Sequence, residues 1–317
     1  MVTTGLRIIY FGTPEFAVPT LKALIDSSHE VVAVVSQPDR PRGRGQHLTP
    51  TATKTVAVEH GIPVLQPEKI RVDAFLSAVR ALRPDLGVVA AYGKLLPEAL
   101  LRIPRCGMIN VHGSLLPRWR GAAPVHRAVI AGDVETGVTI MRVVNELDAG
   151  PMLAAVSRPI GPDETSPEVE RSLARLGATL LVEVADRIAA GQAAESPQDE
   201  TLVTYAPKVA RGEGAIDWGL PAAAIHNLVR GLQPWPLAST RLSGDRVLLH
   251  RTAPGGERTS APAGSVVRAG GDEFAIAAGD GQVIRILALQ PEGRRVMTAR
   301  EFLAGRRIAP GLTLERG

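Results

Sequence analysis

Over its first two thirds the chain alternates between short apolar runs and longer stretches whose apolar residues recur every three or four positions. Leu6–Phe11 (LRIIYF) and Glu30–Ser36 (EVVAVVS) are of the first kind. Near-continuous apolar runs of this length mark strands of a parallel sheet covered on both faces. The first run ends at Gly12, and Thr13-Pro14 then reads as the cap and first residue of a helix carrying Phe16, Leu21, Leu24 and Ile25. Helix-like and strand-like segments keep alternating through Thr51–His60, Ile62–Leu65, Val72–Leu82 and Asp85–Ala91. Such βαβ traffic predicts an open α/β sheet with right-handed crossovers. Further strand patterns fall at Met108–Val111, Gly137–Val144 and Met152–Ile160. A long helix follows over Glu164–Ala190, with Val169, Leu173, Leu176, Leu180, Leu181, Val184 and Ile188 on one face.

The texture then changes. Residues 191–210 are polar and contain Pro and Gly, the composition of a linker. Beyond them Pro221–Leu232 has a helical pattern. Short alternating runs follow at Ala238–Leu242, Arg246–His250, Gly264–Val267, Glu273–Ala277 and Val283–Leu289, split by Gly-rich turns. Five such runs predict a small β-barrel of the OB type. The expected architecture is therefore α/β: a Rossmann-like open parallel or mixed sheet over residues 1–190, a linker over 191–210, and an OB-like barrel domain over 211–317.

Composition narrows the picture. Aromatic residues make up only 3% of the 317, so the cores must be built from Ala, Val, Leu and Ile. No run of about 18 apolar residues occurs, so no membrane span is expected. The start, MVTTGLRIIYFG, lacks a basic region followed by a long apolar stretch, and a cytoplasmic protein is expected. The single cysteine, Cys106, excludes an intramolecular disulfide and a Cys-rich zinc site. The net charge of +4 is carried from Arg211 onward, where 14 basic residues face 10 acidic ones. That excess permits a polyanionic partner without requiring one.

The usual nucleotide fingerprints are missing. The first strand turn holds one glycine, Gly12, with no G-x-G-x-x-G series, and there is no G-x-x-x-x-G-K-[ST] loop. A Rossmann-like sheet need not bind a dinucleotide. The candidate chemistry lies instead in Met108–Pro124, MINVHGSLLPRWRGAAP. Asn110 and His112 are two apart at the end of a strand, so their side chains share one face. Ligands of such sheets bind at the carboxyl ends of strands. Gly113 and Ser114 then turn the chain, and Leu115, Leu116 and Pro117 offer an apolar wall. Taken alone, an N-x-H pair is more often hydrogen-bonded structure than catalyst.

The wider context changes that weighting. The segment resembles the signature of the folate-dependent formyltransferases, and SLLPRWRGAAP at Ser114–Pro124 is similar to the run in the methionyl-tRNA formyltransferase branch. LRIIYFGTPEFAVPTL at the start, QPDRPRGRG at Gln37–Gly45, PDLGVVAAYGKLLP at Pro84–Pro97, ETGVTIMRV at Glu135–Val143, QDETLVTYAPK at Gln198–Lys208, IDW at Ile216–Trp218 and PWP at Pro234–Pro236 resemble it too. The resemblance implies a catalytic Asn, His and Asp, which fall on Asn110, His112 and Asp148, the last within NELDAGPML. By itself an Asp there would be a turn former. The chemistry suits these residue types. An Asn amide can donate to the oxyanion of a formyl-transfer intermediate without titrating, an effect worth ~3–4 kcal/mol per donor. A His can move a proton near neutral pH, and a carboxylate beside it can orient the ring or relay protons to the leaving nitrogen. No metal is implied, since H-E-x-x-H and Cys/His ligand spacings are absent.

By the same resemblance the formyl donor is 10-formyltetrahydrofolate, held by Ser114, Leu115, Leu116 and Pro117 with the region around Val89–Leu95, where backbone at Tyr92-Gly93 could approach the pterin. Arg40, Arg42 and Arg44 punctuate a Pro/Gly-rich loop. In isolation they read as a solvated surface. The resemblance makes the loop an insertion that enters the acceptor stem of methionyl-initiator tRNA, with the C-terminal domain adding basic contacts. A monomer is expected. Three other readings stay open: glycinamide ribonucleotide formyltransferase, which lacks the second domain and the PDRPRGRG insertion; a formyltetrahydrofolate hydrolase; and a noncatalytic RNA-binding relative.

Overall fold

The computed structural model of the chain describes residues 5–42 and 47–317, so Arg44 lies outside the described residues. The chain forms two compact units. The first comprises the described residues to Pro124 with Thr136–Arg158 and Glu170–Ala206; the second comprises Val125–Glu135, Pro159–Val169 and Pro207–Gly317.

The apolar runs form the centre of the first unit. In chain order its elements are β1 (Arg7–Gly12), α1 (Val18–Ile25), β2 (Glu30–Val35), β3 (Arg40–Arg42), β4 (His47–Thr49), α2 (Ala52–Glu59), β5 (Val64–Leu65), α3 (Asp73–Ala81), β6 (Leu86–Ala90), α4 (Glu98–Leu101), β7 (Met108–His112) and β8 (Arg120–Gly121). A seven-stranded sheet has the order β10-β9-β7-β6-β1-β2-β5, in which β9 is Glu135–Arg142 and β10 is Met152–Pro159. The pairs from β5 through β7 are parallel, whereas β7 and β9 run antiparallel. The sheet is thus Rossmann-like and mixed. Ile8, Ile9, Tyr10 and Phe11 of β1 are fully buried, which is why that run carries no alternation. Helix α1 starts later than Thr13-Pro14 indicates. A short 3-10 turn at Glu15–Ala17 comes first, and Thr13 serves elsewhere, its hydroxyl donating to the Tyr92 carbonyl.

Strand order reverses beside β1, because β2 and β5 lie on one side of it and β6, β7 and β9 on the other. The strand ends at Gly12, Ala90 and His112 therefore border the kind of crevice in which open α/β sheets bind ligands. Helix α6 (Ser166–Ala189) supports β7 from one face: a Cβ at Gly177 would lie 3.0 Å from Val111 Cγ1. Val111 points toward that helix, so by strand alternation Asn110 and His112 point away from it. The polar stretch 191–210 holds structure that its composition hides, since β11 (Tyr205–Ala206) pairs in parallel with β8.

In the second unit α5 (Pro124–Ala131) and α7 (Ala222–Gly231) come together at Gly231, where a Cβ would lie 2.4 Å from Ile130 Cγ1. The remaining elements are β12 (Ala238–Leu242), β13 (Asp245–Arg258), β14 (Val266–Gly270), β15 (Glu273–Ala277), β16 (Gln282–Pro291), β17 (Met297–Thr298), α8 (Ala299–Ala304) and β18 (Leu314–Arg316). Their order is β14-β15-β16-β13-β12-β18, with β17 on β16, and a bridge between Ser265 and Thr313 joins the two edges. The result is a curled antiparallel barrel around Ile225, Val229, Leu249, Phe274, Ile284 and Ile286. Strand β13 is far longer than the expected Arg246–His250, because pairing with β16 carries it through Pro254, Gly255 and Gly256 with three register shifts.

Candidate active site

His112 ends β7 and is buried, 4% exposed. Its Nε2 lies 2.9 Å from the Trp119 carbonyl oxygen. A carbonyl only accepts, so Nε2 carries the hydrogen and Nδ1 of the neutral ring is left as an acceptor. Nδ1 faces Asp148 Oδ2 at 3.7 Å, too long for a hydrogen bond but within ion-pair range when the ring is protonated. Two residues separated by more than thirty positions are thus brought together. Asn110 stands one strand repeat before His112, half-buried, opposite Met141 and Val89 in the ladder. Its side-chain amide has no hydrogen-bond partner among the described residues and is free to donate.

Asp148 is held from both ends. Its Oδ2 accepts from the Gly121 N–H at 2.8 Å, and its backbone carbonyl accepts from Gln198 Nε2 at 2.8 Å. The residue has φ +49°, in the left-handed region, and Trp119 has φ +66°. Such conformations persist where the surroundings over-determine them. Trp119 accepts at its carbonyl from His112 and donates from its own N–H to Thr204 Oγ1 at 2.9 Å. The glycines nearby are required by close approach. A Cβ on Gly121 would meet Ala206 O at 2.7 Å, and one on Gly150 would meet Arg142 O at 2.0 Å. That second contact folds the loop carrying Asp148 back onto the end of β9.

Behind the loop lies a polar network not singled out from sequence. The Arg120 guanidinium, 4% exposed, donates from Nε to Gln198 Oε1 at 2.9 Å and reaches both carboxylate oxygens of Glu200. The hydrogen bond from Arg120 holds the Glu200 carboxyl below its ordinary range. Gln198 Nε2 also donates to the Gly150 carbonyl at 2.8 Å. One buried amide therefore fixes the backbone on both sides of the D-x-G turn.

The Ser114–Pro117 segment is equally constrained. Buried Thr139, opposite His112 in the ladder, donates to the Ser114 carbonyl at 2.8 Å and accepts from the Leu116 N–H at 3.1 Å. Ser114 Oγ donates to the Arg118 carbonyl at 2.6 Å, and Leu116 is 7% exposed. A Cβ at Gly137 would strike Leu115 Cδ2 at 2.4 Å, so that glycine makes room for Leu115. At the end of β6, the Tyr92 carbonyl is taken by Thr13 and Gln37, and burial pushes the Tyr92 phenol up to about 12. Gly93 is the open position there, with φ +84° and nothing near its Cβ direction.

The arginine loop forms a β3–β4 hairpin in which Arg40 pairs with Thr49 and Arg42 with His47. Arg40 is exposed, and the hairpin lies well apart in sequence from the His112 site. Among the described residues no group of three or more His, Cys, Asp or Glu could hold a metal ion, and no helix is long and apolar enough to cross a membrane.

A formyl transferase family profile matches residues 6–185, and the C-terminal domain of the same family matches 208–307. The chain belongs to the formyl transferase family. A relative named methionyl-tRNA formyltransferase, from Geotalea uraniireducens, is 48% identical over 98% of both chains. Another of that name, from Moorella thermoacetica, is 44% identical over 96% of this chain and 98% of its own. Among solved structures, an N-formyltransferase from Helicobacter canadensis in complex with folinic acid and dTDP-3-aminofucose superposes with a TM-score of 0.67. It has 16% identity and covers 89% of this chain and 98% of its own. HypX from Aquifex aeolicus, in complex with tetrahydrofolic acid, gives 0.64 at 17% identity over 96% of this chain and 50% of that one. These distant structures share the fold of the family.

Proposed function

We propose that this protein transfers the formyl group of 10-formyltetrahydrofolate to the α-amine of methionyl-initiator tRNA, as a cytoplasmic monomer. The observation that carries the reading is the span of the similarity. Relatives named methionyl-tRNA formyltransferase match this chain over 98% of its length, through the arginine hairpin and the C-terminal barrel alike. A glycinamide ribonucleotide formyltransferase would lack both.

The site chemistry supports formyl transfer. When bound, the folate donor supplies an activated formyl carbon. The free Asn110 amide donates to the carbonyl oxygen as it gains charge, worth ~3–4 kcal/mol. His112, tied through Nε2–H to Trp119, holds or releases a proton at Nδ1. Asp148 Oδ2, 3.7 Å from Nδ1, faces the ring edge that takes up the proton and pairs with the ring while it carries it. As the new C–N bond forms and the bond from the formyl carbon to the folate nitrogen breaks, the amine gives up a proton and the leaving nitrogen gains one, with His112 Nδ1 as the atom that carries it between them. Ser114, Leu115, Leu116 and Pro117 would form the donor's wall, and open backbone at Gly93 fits a flat ring. Arg40, Arg42 and Arg44 would contact the acceptor stem. Residues 1–190 would be the catalytic domain, 191–210 the connection and 211–317 the tRNA-binding domain.

The test supplies the protein with formylfolate and charged initiator or elongator methionyl-tRNA. Formylation selective for the initiator is expected. Equal or absent transfer to both would overturn the proposal.

A further inference from the structure

The arginine hairpin leaves the sheet through two levels of hydrogen bonding. At the lower level Ser36, just past β2, and Thr51, which caps α2, are both buried, and their hydroxyls lie 2.5 Å apart. The excursion between them is therefore tied at its neck. Its neighbours are tied to the strand ends: Thr53 Oγ1 donates to the Gly12 carbonyl at 2.8 Å, and Gln37 Nε2 donates to the Tyr92 carbonyl at 3.1 Å.

The upper level is ionic. Asp39 immediately precedes Arg40 and the first hairpin strand. Lys54 Nζ, from α2, donates to Asp39 Oδ2 at 2.5 Å and to Gln66 Oε1 at 2.9 Å. Gln66, just past β5, donates from Nε2 to Asp39 Oδ1 at 2.7 Å and to the Gln37 carbonyl at 2.9 Å. A lone surface ion pair contributes little, because solvent screens it and two long side chains lose freedom. This group differs on both counts. The Lys54 and Asp39 side chains are 28% and 24% exposed, and each carboxylate oxygen has its own donor from a separate element. The three side chains close a ring around the chain leading into Arg40.

We propose that Lys54, with Asp39 and Gln66, is a clasp that sets the direction of the arginine hairpin, making Lys54 a positioning residue for the tRNA acceptor and not for formyl transfer itself. The inference rests on the reading of the hairpin as a tRNA contact. The described contacts that fasten the hairpin lie at its root, so the direction of the chain entering Arg40 is set there.

The experiment is steady-state formyl transfer by the full-length protein and its Lys54→Met variant, with charged initiator tRNA and formylfolate varied in turn. KM for the tRNA should rise about tenfold, the loss usual for a charge-assisted hydrogen bond, while kcat and KM for the donor stay within about twofold. Lys54→Arg should restore most of the tRNA affinity. The Lys54→Met/Asp39→Asn pair should lose no more than about the larger single loss, since both act through one bond. Gln66→Leu keeps the ion pair and should give the same split at about threefold, which covers the case of a Lys54→Met protein that does not fold. An unchanged tRNA KM, or kcat and donor KM falling in step with it, overturns the clasp. A wild-type protein inactive on charged initiator tRNA would overturn the functional reading instead.

Discussion

The surroundings of His112 and the arginine hairpin solve opposite problems. Around His112, Trp119 and Asp148 sit in left-handed backbone, and each is pinned by hydrogen bonds from separate segments. The residues involved come from β7, β8, the loop after β9 and residues 198–204. In the hairpin, Arg40 is exposed and the fastening lies at the root. Reacting groups must be held within about 0.5 Å of their productive places, which calls for buried, fully satisfied supports. Phosphates can be met by long cationic side chains whose attraction acts at a distance and weakens with salt. One region is locked and the other is aimed.

The sharpest way to break this contrast is to remove the two groups proposed to act on the formyl carbon. Asn110→Ala and His112→Ala should each lower the single-turnover rate by roughly 10²–10³ with little change in tRNA affinity. Near-native rates in either variant would remove that residue from the chemistry, whatever the fate of the functional reading.

A second, smaller effect separates locking from mere folding. Gln198→Leu leaves the carbonyls of Asp148 and Gly150 and the Arg120 Nε without their present partner. Stability should fall by about 2–3 kcal/mol in urea unfolding. If the network also fixes Asp148 against His112, kcat should drop about tenfold or more under conditions where the variant is fully folded. Lost stability with native kcat would show that His112 and Asp148 keep their geometry without the amide.

The same contrast explains what could be read from sequence. Strands β1, β2, β6 and β7 were legible because strands covered on both faces leave unbroken apolar runs. Helix α6 was legible because Val169, Leu173, Leu181 and Val184 keep one buried face. The arginine segment was legible as a solvated Pro/Gly/Arg loop because it is contiguous, but its β3–β4 pairing was not. The supports of the site were not. Gln198 sits in a polar, proline-containing stretch with the composition of a linker, and its targets are backbone carbonyls, which leave no mark on residue type. The Trp119 carbonyl that fixes the His112 tautomer is silent for the same reason. Thr139 looked like any β-branched strand residue. In the barrel, Pro254, Gly255 and Gly256 broke the pattern of β13, although pairing with β16 carries the strand through them.

The smallest effect concerns the aimed region and can be read without activity. The Lys54 ammonium first, and the Gln66 amide second, hold the Asp39 carboxyl below its ordinary value of 3.8. A carboxyl whose folded value is depressed stabilises the fold fully above its unfolded value, and that contribution disappears as pH falls through the folded value. The window therefore lies below about pH 3.8. Because Asp39 is partly open to solvent, the contribution to global stability should be slight, and the carboxyl resonance itself is the better probe. An NMR titration should place its midpoint below that of an ordinary Asp, with Lys54→Met moving it back up and Gln66→Leu moving it up by less. If the midpoint is unmoved by Lys54→Met, the ring of Asp39, Lys54 and Gln66 does not form in solution. The hairpin would then be held by the Ser36–Thr51 neck and the bonds of Gln37 without the ionic level, and its direction would have to come from the tRNA.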